Sequence, residues 1–129
     1  MAVYSHINVK NQGPQYLKDN VTAIHLVKNI VNGEGYSTSI ARSIATTSFG
    51  SSDAVLTTVS NEAVLTLAAK AGIDPTGTAT SGNDLSVIYV SGTEVLLTLN
   101  ATNRDIVNGD GDTVDIPQAT YTVDELVSA

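Results

Sequence analysis

Short runs rich in Val, Ile, Leu and Thr recur along the chain, and Gly, Pro, Asn, Asp and Ser punctuate them at regular intervals. Breaks fall at Gly13-Pro14, Asn32-Gly33-Glu34-Gly35, Gly50-Ser51-Ser52, Asp74-Pro75-Thr76-Gly77, Ser81-Gly82-Asn83, Ser91-Gly92 and Asn108-Gly109-Asp110-Gly111. Segments of strand length between turn signals predict an antiparallel sandwich or barrel built from hairpins. β-branched side chains favour this reading, because they lose less χ1 freedom on a pleated surface than against a helical turn.

Leu85–Val90 and Glu94–Leu99 flank Ser91-Gly92-Thr93 and form the strongest hairpin signal, with Gly92 available for a positive φ. Asp53–Val59 and Ala63–Ala68 form a second candidate pair around Ser60-Asn61-Glu62, with Leu-Thr steps suited to inside and outside alternation. The second arm also reads as a helix from Asn61 to Ala71, capped by Ser60 and closed by Gly72, but its β-branched context favours strand. Tyr16–Val31 carries both patterns. Leu17, Val21, Ile24 and Val31 fall near helical spacing, and Ala23–Val27 also reads as a buried strand.

The first sixteen residues are polar around Gly13-Pro14 and offer little to a core, which predicts an extended N-terminal arm over 1–16. Residues 17–129 then form a single β-rich domain with room for one short helix. Within and next to the arm, Val3, Tyr4, His6, Lys10, Tyr16 and Lys18 are the candidates for contacting a partner. Leu85–Val90 is the strand nominated to add to a partner's sheet edge.

Composition narrows the function classes. At 129 residues with 42% hydrophobic and 15% charged residues, the chain can bury a core without staples. Cysteine is absent, which removes disulfides, thiolate metal sites and Cys nucleophiles. No run has the length of a membrane span, and Met1–His6 lacks a signal-peptide layout, so synthesis in the cytoplasm is expected. The charge of −7 is asymmetric: residues 1–50 hold four cations and two acids (+2), and residues 51–129 hold two cations and eleven acids (−9). Dispersed cations without a basic patch argue against nucleic-acid binding.

Asn108, Asp110 and Asp112 space oxygen ligands as calcium loops do, which makes this loop the one weak metal candidate. Counted from Asn108, however, the sixth position is Thr113 and the twelfth is Ala119, so the turn glycine and the closing carboxylate are missing. A Gly/Asp hairpin loop between Ile106-Val107 and Val114–Ile116 is the favoured reading. His6 and His25 are not at metal-ligand spacing, and neither a Gly-x-Ser-x-Gly elbow nor a phosphate-binding loop occurs. No cofactor and no catalytic residue is nominated, and a non-enzymatic chain is expected. The sequons at Asn20 and Asn100 read as chance.

Thr46–Ile73, with its LTLAAKAGI run, is followed by the TGTAT turn of Thr76–Thr80, the VIYVSGTEVLLTL hairpin of Val87–Leu99 and Val114-Asp115-Ile116-Pro117. This succession, over roughly residues 46–123, resembles small virion proteins of tailed phages. The resemblance implies a virion structural protein that decorates or cements the capsid lattice, on the capsid exterior. Its implied partners are the major capsid protein and copies of itself, with no membrane and no nucleic acid. A tail or neck component is the close alternative, and a calcium-dependent or carbohydrate-binding adhesin module is the other. Residues 1–45 lie outside the resemblance.

Overall fold

A computed structural model describes residues 4–5, 7–31, 33–59, 62–79, 84–101 and 113–123. The fold is mainly β, with antiparallel pairing throughout, as the spacing of turn signals predicts. Five strands form the largest sheet: β1 (Tyr4–Ser5), β8 (Glu94–Asn100), β7 (Leu85–Ser91), β2 (Ala23–Lys28) and β3 (Ser43–Ser48), in that order. A three-stranded sheet follows the order β10 (Ala119–Val123), β5 (Glu62–Leu67), β4 (Ala54–Val59). β6 (Lys70–Ile73) and β9 (Val114–Ile116) pair as a third, small sheet.

The β7–β8 hairpin closes through Gly92 and Thr93 alone, because Ser91 and Glu94 already pair. Gly92 has φ 56°, the left-handed conformation that the first central position of such a tight turn requires. β7 lies between β8 and β2, so both of its edges are used, and Leu85–Val90 is buried on both faces. That corrects the expectation that Leu85–Val90 adds to a partner's sheet. An unbroken aliphatic run marks a strand covered on two faces, which belongs in a sheet's interior.

The alternation along β2 and β7 sends side chains to two cores. Ile24, Leu26, Leu85, Val87 and Tyr89 enter the main core with Leu65 and Leu67 of the three-stranded sheet. Val27, Ile88, Val90 and Val95 form a smaller cluster on the other face, joined by Ile30 and Tyr36. Tyr36 opens α2 (Tyr36–Ile40), the short helix within the β2–β3 connection. The guanidinium of Arg42 fastens this connection by donating to the Asn29 carbonyl and the Glu34 carboxylate.

In the stretch from Asn61 to Ala71 the described residues resolve to strand and not helix: β5 runs from Glu62 to Leu67, β6 starts at Lys70, and Val59 pairs with Glu62. Tyr16–Val31 divides between both patterns, ending a helix at Asn20 and starting β2 at Ala23. The extended arm expected over 1–16 is corrected by α1 (Ile7–Asn20), a helix kinked at Gly13. Gly13 takes φ 70° there, and Pro14 begins the second helical segment, where its missing amide costs no internal bond. Gly13-Pro14 therefore marks a kink within a helix. Leu17 on the second segment and Val21 just after it are buried in the main core, and Tyr4 and Ser5 pair with Thr98 and Leu97. Residues before 17 are thus partly built into the domain, and the boundary drawn at 16 cuts through a helix.

Candidate interaction surface

The three-stranded sheet has one face turned to the core and one turned to solvent. Ala54, Leu65 and Leu67 are buried inward, with Leu56, Ala119 and Tyr121 packed against them. Period-two alternation then places Val55 and Thr57 of β4, Val64 and Thr66 of β5, and Thr120 and Thr122 of β10 on the outer face.

Register arranges these six side chains in two rows. Val55 lies opposite Thr66, which lies opposite Thr120; Thr57 lies opposite Val64, which lies opposite Thr122. Thr57, Thr120 and Thr122 are exposed, and Val55 is 56% exposed, one of only two large hydrophobic side chains among the described residues to be so open. The grid carries no charge and no long flexible side chain. Covering it desolvates no ion and freezes little side-chain entropy, so a flat partner can gain from apolar and methyl contact at low cost. The signal is legible in β4 and β5 as Leu-Thr alternation, and Ala119-Thr120-Tyr121-Thr122-Val123 carries the same alternation far away in the sequence.

Lys18 is engaged within the domain. Its Nζ donates to the carbonyls of Ser51 at 2.7 Å and Ala54 at 2.6 Å, tying α1 to the short 3₁₀ turn at Ser51–Asp53 and to the start of β4. Tyr16 packs on the main core. Both therefore make internal contacts, because the helix turns them onto the domain. Tyr4 is placed in β1 and Lys10 in the first segment of α1 by their backbones. Val3 and His6 lie outside the described residues, as do Asn108, Asp110 and Asp112. Val114 and Ile116, expected to pair across that loop, have their described partners in β6.

His25 sits half-buried on β2, its Nδ1 3.1 Å from the Ser43 hydroxyl and its ring edge-on to Tyr36 at 6.5 Å. Burial holds its pKa below the usual imidazole value. Asp53 accepts the Gly50 amide at 2.9 Å and an ion pair from Lys70 at 3.0 Å, and these two bonds hold its carboxyl below the usual carboxylate range. Lys70 also stands 5.6 Å over the Phe49 ring, which meets Tyr89 edge-on at 5.5 Å. These groups form a structural chain from the core to the surface.

A cleft of about 440 Å³ opens between the five-stranded sheet and the β6–β9 pair, walled by Leu26, Leu85, Val87, Val114 and Ile116. Its rim charges are engaged: Lys70 with Asp53, and Asp115 with the Gly72 amide at 2.9 Å. Among the described residues, no group of three His, Asp or Glu side chains is placed to hold a metal. No described helix is long and apolar enough to cross a membrane. Compared with known proteins, the chain matches no family model, no curated protein and no solved structure.

Proposed function

We propose that this chain is a structural assembly protein of a virion, one that decorates or cements a capsid lattice through protein–protein contacts. The carrying observation is the uncharged Val/Thr grid on the outer face of β10-β5-β4, with Val55 exposed and Thr120 and Thr122 beside it. An uncharged sheet face of short side chains suits repeated docking onto a regular protein surface better than it suits capture of a small molecule, which favours a concave site. The resemblance of residues 46–123 to small tailed-phage virion proteins supports the major capsid protein as the partner of that surface.

Binding on such a face depends on many modest contacts spread over an interface of order 800 Å² per partner. Co-sedimentation with capsids assembled without the chain tests it. Wild type should bind saturably, and the double variant Thr120→Lys, Thr122→Lys should lose binding, because two cations would have to be desolvated at the centre of the contact. Thr93→Lys, on the exposed β7–β8 turn, should bind as wild type. Equal retention of all three, or no binding by wild type, would rule out this face as the docking surface.

A further inference from the structure

We infer that the outer edge of β4 is a pairing edge for a second copy of this chain, joining two three-stranded sheets into one six-stranded sheet. The inference rests on the assembly reading above for its purpose, but it concerns a different surface, the strand edge rather than the sheet face.

The direction of the backbone groups on β4 follows from its ladder. The Ala68 amide donates to the Asp53 carbonyl at 2.8 Å, one step beyond the pairing of Ala54 with Leu67. Hydrogen-bonded and non-hydrogen-bonded pairs alternate in an antiparallel ladder, so Val55, Thr57 and Val59 bond inward to β5. Ala54, Leu56 and Thr58 therefore turn their amides and carbonyls to the outer edge. The Ala54 carbonyl agrees, since it accepts from Lys18 Nζ and not from β5. No strand among the described residues lies beyond β4.

Natural edges are blunted by charge, proline, bulges, shortness or cover. The Lys18 ammonium caps the edge at the Ala54 carbonyl; from Val55 to Val59 β4 has no charge, proline or bulge, and its register against β5 is unbroken. The other edges of the two larger sheets differ. β1 has two residues. β3 is covered where the Ile44 carbonyl accepts the amides of Thr76 at 2.7 Å and Gly77 at 3.3 Å. β10 leads directly into Asp124-Glu125 in the sequence, and charge next to an edge strand disfavours edge-to-edge pairing.

A second copy is the occupant because Val55-Leu56-Thr57-Thr58-Val59 reads almost identically in both directions. With Thr57 on the two-fold axis, Leu56 of each copy exchanges its outward amide and carbonyl with Thr58 of the other, and Val55 of each meets Val59 of the other. No charge opposes a like charge within this stretch. The joined sheet would present two of the Val/Thr grids side by side on one continuous face.

The register makes the test specific, and the chain's lack of cysteine makes it clean. Thr57 would oppose its own copy as a non-hydrogen-bonded pair, about 4.5 Å apart at Cα, within disulfide reach. Val55 would lie four residues along the strand from its own copy, about 13 Å away and out of reach. Under mild oxidation Thr57→Cys should form a disulfide-linked dimer and Val55→Cys should not. Without cysteines, light scattering and sedimentation equilibrium should show a concentration-dependent dimer that Thr57→Lys weakens at least about tenfold. Mixing Thr57→Lys with Thr57→Glu should restore pairing as a heterodimer. A wild-type chain monomeric up to about 100 μM, equal cross-linking at both positions, or a dimer indifferent to Thr57→Lys would each overturn the inference. Particle binding by Thr120 and Thr122 variants is measured separately, so failure of the edge and failure of the docking face are distinguishable.

Discussion

Phe49 offers a sharp test of how the sheets are held together. It is 1% exposed, meets Tyr89 of the five-stranded sheet edge-on at 5.5 Å with an 82° interplanar angle, and lies under Lys70 Nζ at 5.6 Å. Truncation to Ala removes the ring and leaves a cavity among side chains from two sheets, which typically costs about 3–5 kcal/mol. Phe49→Leu keeps most of the volume and removes only what needs a ring: the edge-to-face pair, about 1 kcal/mol, and the cation–π contact, about 0.5 kcal/mol at a partly exposed lysine. With an imperfect fit added, Phe49→Leu should cost about 2 kcal/mol, near half the Ala loss. Urea unfolding followed by far-UV circular dichroism measures both, provided the slope of free energy against urea is unchanged. A loss under about 1 kcal/mol for Phe49→Ala would remove Phe49 from the load it is assigned between the sheets. Equal losses for the two variants would show that ring geometry contributes nothing.

Other expectations are local. Ser39 is fully buried in α2 and its Oγ has no hydrogen-bond partner, so Ser39→Ala should leave stability unchanged or raise it by up to about 1 kcal/mol in the same urea titration. At Gly77 an added Cβ would sit 3.0 Å from Ile44 Cγ2 and 3.4 Å from Ile44 Cα, so Gly77→Ala should destabilise by about 1–2 kcal/mol and lower the melting temperature. Asp53 has its carboxyl pKa lowered by the Gly50 amide and the Lys70 ammonium, so its contribution is present above the unfolded carboxylate value and is lost as pH falls through the folded one. Asp53→Asn should therefore flatten the acid side of the stability profile, modestly because the pair is partly exposed. Burial pushes the Tyr89 phenol up to about 12, so the fold favours its neutral form, and stability should fall as pH rises from about 10 towards 12. A stability curve flat over that alkaline range would contradict the burial of its hydroxyl.

The β-rich class was legible because turn residues and β-branched runs agree at most positions, and local agreement of that kind is what specifies a fold. Leu85–Val90 with Glu94–Leu99 came through directly, since Gly92 sits where the turn needs a positive φ. α1 was not legible as a helix. Its first segment has few apolar residues, and Gly13-Pro14, normally a stop, here separates two helical segments that continue on one another. Of the four residues at helical spacing, Leu17 alone lies in the helix; Val21 follows its end, Ile24 belongs to a strand and Val31 lies beyond that strand. Tyr16 and Lys18, nominated for polarity, show that a polar side chain on a helix can be spent on its own domain: Lys18 donates to the Ser51 carbonyl, which also accepts the Ala54 amide, and to the Ala54 carbonyl at the outer edge of β4. The outer Val/Thr grid was hidden for a different reason. A face composed across three strands exists only in the register, and Thr120 and Thr122 are more than fifty residues from the strands they join.

The central claim, a virion assembly role through the outer sheet face, is tested most directly by cryo-electron microscopy of particles assembled with this chain. Density fitting the fold should repeat over the capsid exterior, with Val55, Thr66 and Thr120 against the shell or against a neighbouring copy. Density confined to the tail or neck, or a capsid-bound chain whose β10-β5-β4 outer face points to solvent, would contradict it.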